Sequence, residues 1–524
     1  MHRPRRGTAA LAVLAASAIA LTGCIPLPPA LPTAPAATSS TDPGQPPWEP
    51  TGEQVAPGLE QYYGQDVDWT DCGANWCGTI TAPMDWFGQG EETIELAVTV
   101  APATGEREGA ILYNPGGPGA SGVEYVQQYA DYLIRPEVRE HYDLVGFDPR
   151  GVGQSTPISC YDDPKELYDW LWEIPEGPAP EPLSDEDLEQ QLASAQWFAD
   201  SCLEHTGDYL QHIGTEQVAS DMDLMRALLG EDRLDYLGVS YGTLIGSTYA
   251  DLFPENVGRM VLDAAVAPDS TDFDGTLYQA AGFELAYGNF AADCLQQADC
   301  PFEADTEEGV LAETRALIDD LDASPIPVAD GRELGSSAFF VAIAANLYAD
   351  FQWQALRAII GDVLEGSGES AFQAADEYYG VNPDGSFADN SLEALIAVNC
   401  LDYPAVTDWD EVRANAERIL AAAPTLGPDF IGLGSCAAWP FEATREPHEI
   451  TAPGAEPIIV IGGRNDPATP YQQAVDLADM LESGVLISVD AEGHGQYGQG
   501  DACVDEPVDE YFLTGVAPMG PIDC

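Results

Sequence analysis

Three separated places in this 524-residue chain hold side chains able to act together: Ser240 within Gly238-Val-Ser-Tyr-Gly242, Asp466 shortly after Pro457-Ile-Ile-Val-Ile461, and His494 within Gly493-His-Gly495. A serine hydroxyl is a weak nucleophile until a base takes its proton, and that base needs a carboxylate to orient it. Joined, the three would perform acyl transfer through a covalent acyl-serine. Six histidines compete for the role of base. His2 lies in the extreme N-terminus, and His141, His205, His212 and His448 stand in polar, surface-like stretches. His494 alone follows a late strand in a glycine-flanked loop. Asp466 is the expected acid, since it keeps the chain order Ser, Asp, His; Asp263, at the end of the strand after the serine, is the alternative.

Elements able to position these groups can be read from the neighbouring residues. Leu234–Val239 is a short apolar run with the pattern of a buried strand, and Tyr241–Phe253 is a small-residue helix. Ser240 alone is left to turn one into the other, which forces a positive φ and near-absent side chains two positions away on each side. Gly238 and Gly242 meet that demand. The new helix would aim its first N–H, that of Tyr241, at a developing oxyanion. A second donor is expected from the loop Asn114-Pro-Gly-Gly-Pro-Gly119 after the strand Ala110–Asn114. Pro115 and Pro118 have no N–H, so the donor is Gly117, with Gly116 in reserve.

Strand-like runs at Thr79–Met84, Thr93–Ala101, Asp143–Asp148, Arg259–Asp263 and Gly484–Val489 alternate with helical patterns such as Thr215–Leu229. That rhythm predicts an α/β fold with a mostly parallel central sheet. It lapses from 267 to 446, where Leu277–Phe290, Leu311–Leu321, Ser337–Ala358, Ser391–Val398 and Trp409–Ala422 read as helices of a large cap insertion. The expected division is therefore a core in two parts, 58–266 and 447–524, around a helical cap at 267–446.

Composition narrows the setting. Eighty-nine acidic residues stand against 18 basic ones, so no basic surface can form to bind nucleic acid. The acidity reads as a solvated, self-repelling surface. Arg3, Arg5 and Arg6, the apolar run Ala9–Leu21 and Leu21-Thr22-Gly23-Cys24 predict a signal peptide over 1–23, with Cys24 as the lipidated first residue of an exported protein. Residues 24–57, rich in Pro, Ala, Thr and Ser, would form the tether. Membrane contact would be through that lipid alone, and the protein is expected to be a monomer. The other ten cysteines are even in number, and in an oxidising compartment they predict five disulfides. Pairing of sequence neighbours is expected: Cys72–Cys77, Cys160–Cys202, Cys294–Cys300, Cys400–Cys436 and Cys503–Cys524. No C-x-x-C pair and no histidine cluster suggests a metal, and the chemistry asks for no cofactor.

The Asn-Pro-Gly-Gly-Pro-Gly loop, Gly146-Phe-Asp-Pro-Arg-Gly-Val-Gly-Gln-Ser155, the Gly-Val-Ser-Tyr-Gly turn and the late Asp and Gly-His-Gly jointly resemble the secreted actinobacterial tripeptidyl aminopeptidases. These are α/β-hydrolases whose C-terminal segment brings acid and histidine. The resemblance covers about residues 60 to 524 and implies a serine exopeptidase that releases short peptides from free amino termini. The chain also resembles proline iminopeptidases in its Gly-Gly-Pro-Gly loop, but Pro115 stands where they carry a histidine, which argues against a proline-specific monopeptidase. An aminopeptidase must hold an α-ammonium, and Asp402, beside Cys400, is the carboxylate expected to do so. A carboxylesterase or lipase would use the same triad with a charge-free pocket, and a non-catalytic envelope scaffold would have lost one of its members.

Overall fold

The computed structural model describes residues 48–524 apart from 89, 173 and 175–179. The expected signal peptide, Cys24 and the tether as far as residue 47 lie outside the described residues. From Trp48 the chain is already docked: the indole is buried and donates to Asp143 (3.0 Å), and the Thr51 N–H donates to the Ala227 carbonyl (2.9 Å).

Ten strands form one sheet: β1 (Thr70–Asp71), β2 (Trp76–Pro83), β3 (Thr93–Ala101), β4 (Gly109–Asn114), β5 (Tyr142–Phe147), β6 (Leu234–Val239), β7 (Val257–Asp263), β10 (Ile458–Asn465), β11 (Gly484–Glu492) and β12 (Ile522–Asp523). β8 (Ile326–Pro327) and β9 (Glu333–Leu334) make a separate small hairpin. The order across the sheet is β1-β2-β3-β5-β4-β6-β7-β10-β11-β12. The first three pairings are antiparallel, and every pairing from β5 onward is parallel. β4 and β5 are buried at every residue, as strands covered by helices on both faces must be. Among those helices are α1 (Gly122–Leu133), α2 (Thr215–Leu228) and α3 (Tyr241–Leu252). This is the α/β-hydrolase architecture.

Between β7 and β10 no described strand joins the sheet, and the chain is mainly helical. It includes α4 (Asp272–Cys294), α5 (Ser336–Ala345), α6 (Trp353–Leu364), α7 (Ser391–Asp402) and α8 (Trp409–Ala422). The stretch expected as one helix over Ser337–Ala358 is two, α5 and α6. The break carries Tyr348, whose carbonyl accepts the His494 N–H (2.9 Å); inside an unbroken helix that carbonyl would be tied to its own chain. The five disulfides join Cys72–Cys77, Cys160–Cys202, Cys294–Cys300, Cys400–Cys436 and Cys503–Cys524.

Candidate active site

Ser240 sits between β6 and α3 at φ 58°, ψ −127°, the positive-φ turn expected of it. A Cβ on Gly238 would lie 2.4 Å from the Gly242 carbonyl oxygen, and one on Gly242 would lie 2.6 Å from the Asn114 carbonyl oxygen. Both approaches are backbone against backbone, so no side chain fits at either position. The turn is held from three directions. The Ser240 N–H donates to the Asp263 carbonyl (2.9 Å), while the Ser240 carbonyl accepts from the Thr243 N–H (2.8 Å) and from Thr243 Oγ1 (2.6 Å).

The glycine loop after β4 lies directly on this turn, since a Cβ on Gly116 would come within 2.9 Å of the Tyr241 nitrogen. The Gly116 N–H donates to Asn114 Oδ1 (2.9 Å). The Gly117 N–H makes no hydrogen bond among the described residues. Tyr241 is the first residue of α3, so its N–H has no partner within the helix. Gly116 is thus the loop residue that lies against Ser240 and Tyr241, and the N–H groups of Gly117 and Tyr241 are the ones left without a partner among the described residues.

His494 follows β11. Its Nδ1 stands 2.9 Å from both Asp466 oxygens and 3.3 Å from Thr469 Oγ1. Asp466 follows β10 in a turn of its own making: Oδ1 accepts the N–H groups of Ala468 and Thr469 (2.9 Å each), and Oδ2 accepts Thr469 Oγ1 (3.1 Å). The imidazole packs edge-on against the Tyr348 ring, centroids 5.5 Å apart. His494 Nε2 is buried and has no partner among the described residues. With Nδ1 facing a carboxylate, the proton of the neutral ring belongs on Nδ1, and Nε2 is left as the acceptor.

Asp263, the alternative acid, does something else. Its Oδ2 accepts the N–H groups of Gln496 and Tyr497 (2.8 Å each), so it ties the histidine loop to the strand end whose carbonyl already holds Ser240. Burial pushes its carboxyl up to about 6, opposed by those two amides and by His494. It makes no hydrogen bond to the imidazole.

The expectation for Asp402 is corrected. This carboxylate is fully buried at the end of α7. Oδ1 accepts the Thr215 N–H (3.0 Å) and Oδ2 accepts the phenol of Tyr241, which also meets Thr215 Oγ1 (2.9 Å). Burial raises its pKa. The group anchors the Tyr241 side chain from behind and offers no surface to a substrate ammonium.

Two contributors escaped sequence reasoning. Tyr348 left no signal, because its role depends on a helix break. Thr469 could have been found: Asp466-Pro-Ala-Thr469 is an Asx-turn sequence, whose carboxylate captures the N–H groups two and three residues on.

A family model described as TAP-like protein matches residues 423–524, the stretch that carries Asp466 and His494. Serine protease Hip1 of Mycobacterium tuberculosis is 38% identical over 488 residues, covering 89% of this chain and 92% of that protein. Tripeptidyl aminopeptidase of Streptomyces lividans is 33% identical over 478 residues, covering 87% and 86%. A Mycobacterium tuberculosis protein named Carboxylesterase B is 36% identical over 465 residues, covering 86% of each chain.

Proposed function

The chain belongs to the tripeptidyl aminopeptidase family of α/β-hydrolase serine peptidases, and on that premise we propose that it is an exported aminopeptidase releasing tripeptides from free N-termini. Ser240 Oγ attacks the scissile carbonyl as its proton passes to His494 Nε2. Asp466 holds the Nδ1 proton and stabilises the imidazolium that forms. The N–H groups of Gly117 and Tyr241 receive the oxyanion, each worth about 3 kcal/mol in sites of this kind. His494 then protonates the leaving amine, and water, deprotonated by the same nitrogen, releases the acyl group.

The observation that carries this reading is the two-oxygen contact of Asp466 with His494 Nδ1 at 2.9 Å, with Nε2 buried and unpartnered among the described residues. The helical segment 267–446 acts as a cap, supported by Tyr348 on the imidazole and by α7 against the glycine loop, where a Cβ on Gly119 would meet the Ser391 carbonyl at 2.5 Å. Hydrolysis of mono-, di- and tripeptidyl anilides by purified protein tests the proposal, with Ser240→Ala as control. Cleavage confined to free-amine tripeptidyl substrates is expected. The relative named Carboxylesterase B favours a second reading, an esterase on the same triad, and equal cleavage of N-acetylated substrates would select it. Export follows from the N-terminal residues, and no helix among those described is long and apolar enough to cross a membrane. Mass spectrometry of the mature N-terminus should find acylated Cys24.

A further inference from the structure

A cavity adjoins the acid side of the triad. Ala468 and Thr469 form part of its wall, and Thr469 Oγ1 also reaches Asp466 and His494 Nδ1. Leu395 forms another part, and its nitrogen lies against Gly119 of the glycine loop. The cavity thus meets the Asp466–His494 pair through Thr469 and the glycine loop through Leu395.

Asp272 is the one charged side chain among the described residues lining it. Its carboxylate has no hydrogen bond or ion pair among the described residues. It also has no capping duty on α4, because Thr271 and Asp274 form the capping box there. Burial pushes its pKa up to about 6, with no opposing cation. Two further acceptors face the same space. Ser435, only 7% exposed, has a buried hydroxyl without a partner among the described residues, and Asn399 Oδ1 is likewise buried and unpartnered. Gly434, next to Ser435, lies beside Asp272: a Cβ there would be 3.9 Å from Oδ2. The Cys400–Cys436 disulfide clamps the neighbour of Asn399 to the neighbour of Ser435. Three unsatisfied acceptors, one of them anionic, thus line one cavity.

We propose that Asp272, Asn399 and Ser435 receive the α-ammonium of the peptide whose scissile bond lies at Ser240. An ammonium has three N–H donors and no acceptor, which matches this set in number and sign. Charge-assisted bonds of this type discriminate strongly against a substrate that lacks the donor. The assignment rests on the aminopeptidase reading and makes Asp272, rather than Asp402, the residue that selects free N-termini.

The test compares the full chain with Asp272→Asn, Asn399→Leu and Asp402→Asn on three substrates: a free-amine tripeptidyl anilide, its N-acetyl form, and a p-nitrophenyl butyrate ester. Asp272→Asn should raise KM for the free-amine anilide about ten- to a hundredfold, with kcat and ester hydrolysis kept within about twofold. Retained ester hydrolysis also shows that the variant is folded. Asn399→Leu should move the same KM in the same direction by less, and Asp402→Asn should affect anilide and ester alike. An unchanged free-amine KM in Asp272→Asn, or equal loss on the ester, overturns the assignment while leaving the aminopeptidase reading intact. Equal cleavage of free and acetylated anilides by the unaltered protein would overturn both.

Discussion

Asp466→Asn is the sharpest test of the triad, because the surroundings dictate which way the new amide must face. Oδ1 of Asp466 accepts two backbone N–H groups, from Ala468 and Thr469, at 2.9 Å each. Turning the amide nitrogen toward them would leave two buried donors facing a third, at about 1–3 kcal/mol per unsatisfied group. The carbonyl oxygen of the introduced amide must therefore take the Oδ1 place and its NH2 the Oδ2 place, 2.9 Å from His494 Nδ1 and 3.1 Å from Thr469 Oγ1. Keeping the proton on Nδ1 would then set it against that NH2 while sharing the retained oxygen, also 2.9 Å away, with the two backbone N–H groups; a bare Nδ1 instead accepts from the NH2. The ring responds by moving its proton to Nε2, the nitrogen that must accept from Ser240. Inverting the tautomer in a serine peptidase lowers kcat by about 10⁴, or about 5.5 kcal/mol in the barrier. The substitution is isosteric, so the fold and KM should be preserved. Steady-state kinetics on a tripeptidyl anilide measures it, with Asp263→Asn as comparison. Asp263 makes no bond to the imidazole, and its Asn variant should lose less than about tenfold. Retention of more than a tenth of the activity in Asp466→Asn, or equal losses in the two variants, would refute the reasoning.

Two further outcomes follow from the geometry. Gly238→Ala places a Cβ 2.4 Å from the Gly242 carbonyl and 2.5 Å from the Tyr236 ring, between elements that cannot separate without moving the serine. A loss of about 3 kcal/mol or more is expected, read as a lowered Tm with anilide hydrolysis abolished; an unchanged melt with full activity would sink the steric account. Glu393→Gln should stabilise the protein at pH 8. Burial holds the Glu393 carboxyl at about 7 against an ordinary 4.5, so the folded state binds the proton more tightly than the unfolded chain does. Stability therefore falls as pH rises from about 4.5 through 7, and Gln removes that loss while still accepting the Cys160 N–H now held at 2.7 Å. The displacement converts to about 3 kcal/mol as an upper bound. Thermal melts at pH 8 and pH 4.5 should show the gap closing on acidification, and a gap that widens instead would contradict the sign.

The serine turn was legible because its cause is local: a strand that becomes a helix within one residue fixes φ and excludes side chains at 238 and 242. The contact between His494 and Asp466 could be anticipated for a related reason, since each directly follows a strand and strand ends of such sheets converge on one rim. Asp402 shows where local reasoning stops. Asn399 and Asp402 lie one turn apart on α7, and sequence cannot say which of them the rotation of that helix turns toward the cavity. The Cys400–Cys436 clamp and the Tyr241 phenol set that rotation, and both are tertiary. The break between α5 and α6 is hidden in the same way. Its residues are apolar enough to continue a helix, and the carbonyl of Tyr348 serves the His494 loop only once the sheet has brought that loop beneath it.

One arrangement recurs through the buried acids and explains how so acidic a chain stays folded. With 89 acidic residues against 18 basic ones, guanidinium groups reach only some of the buried carboxylates: Asp143, Asp221, Asp223, Asp505 and Asp509 have one, and Asp148, Asp263, Asp402 and Asp466 do not. Backbone N–H groups take that place: Val123 and Gln154 for Asp148, Gln496 and Tyr497 for Asp263, Thr215 for Asp402, Ala468 and Thr469 for Asp466, Cys160 for Glu393. Each such amide fixes a turn or loop to a strand or helix end while it stabilises the charge. Acidity is thereby used as architecture, and the carboxylates that hold the site together are the ones with amide partners. Asp272 departs from that pattern. It lines a cavity whose wall includes Thr469, the partner of Asp466 and His494, and among the described residues it has neither an amide nor a cation of its own; a free peptide N-terminus would supply the missing partner.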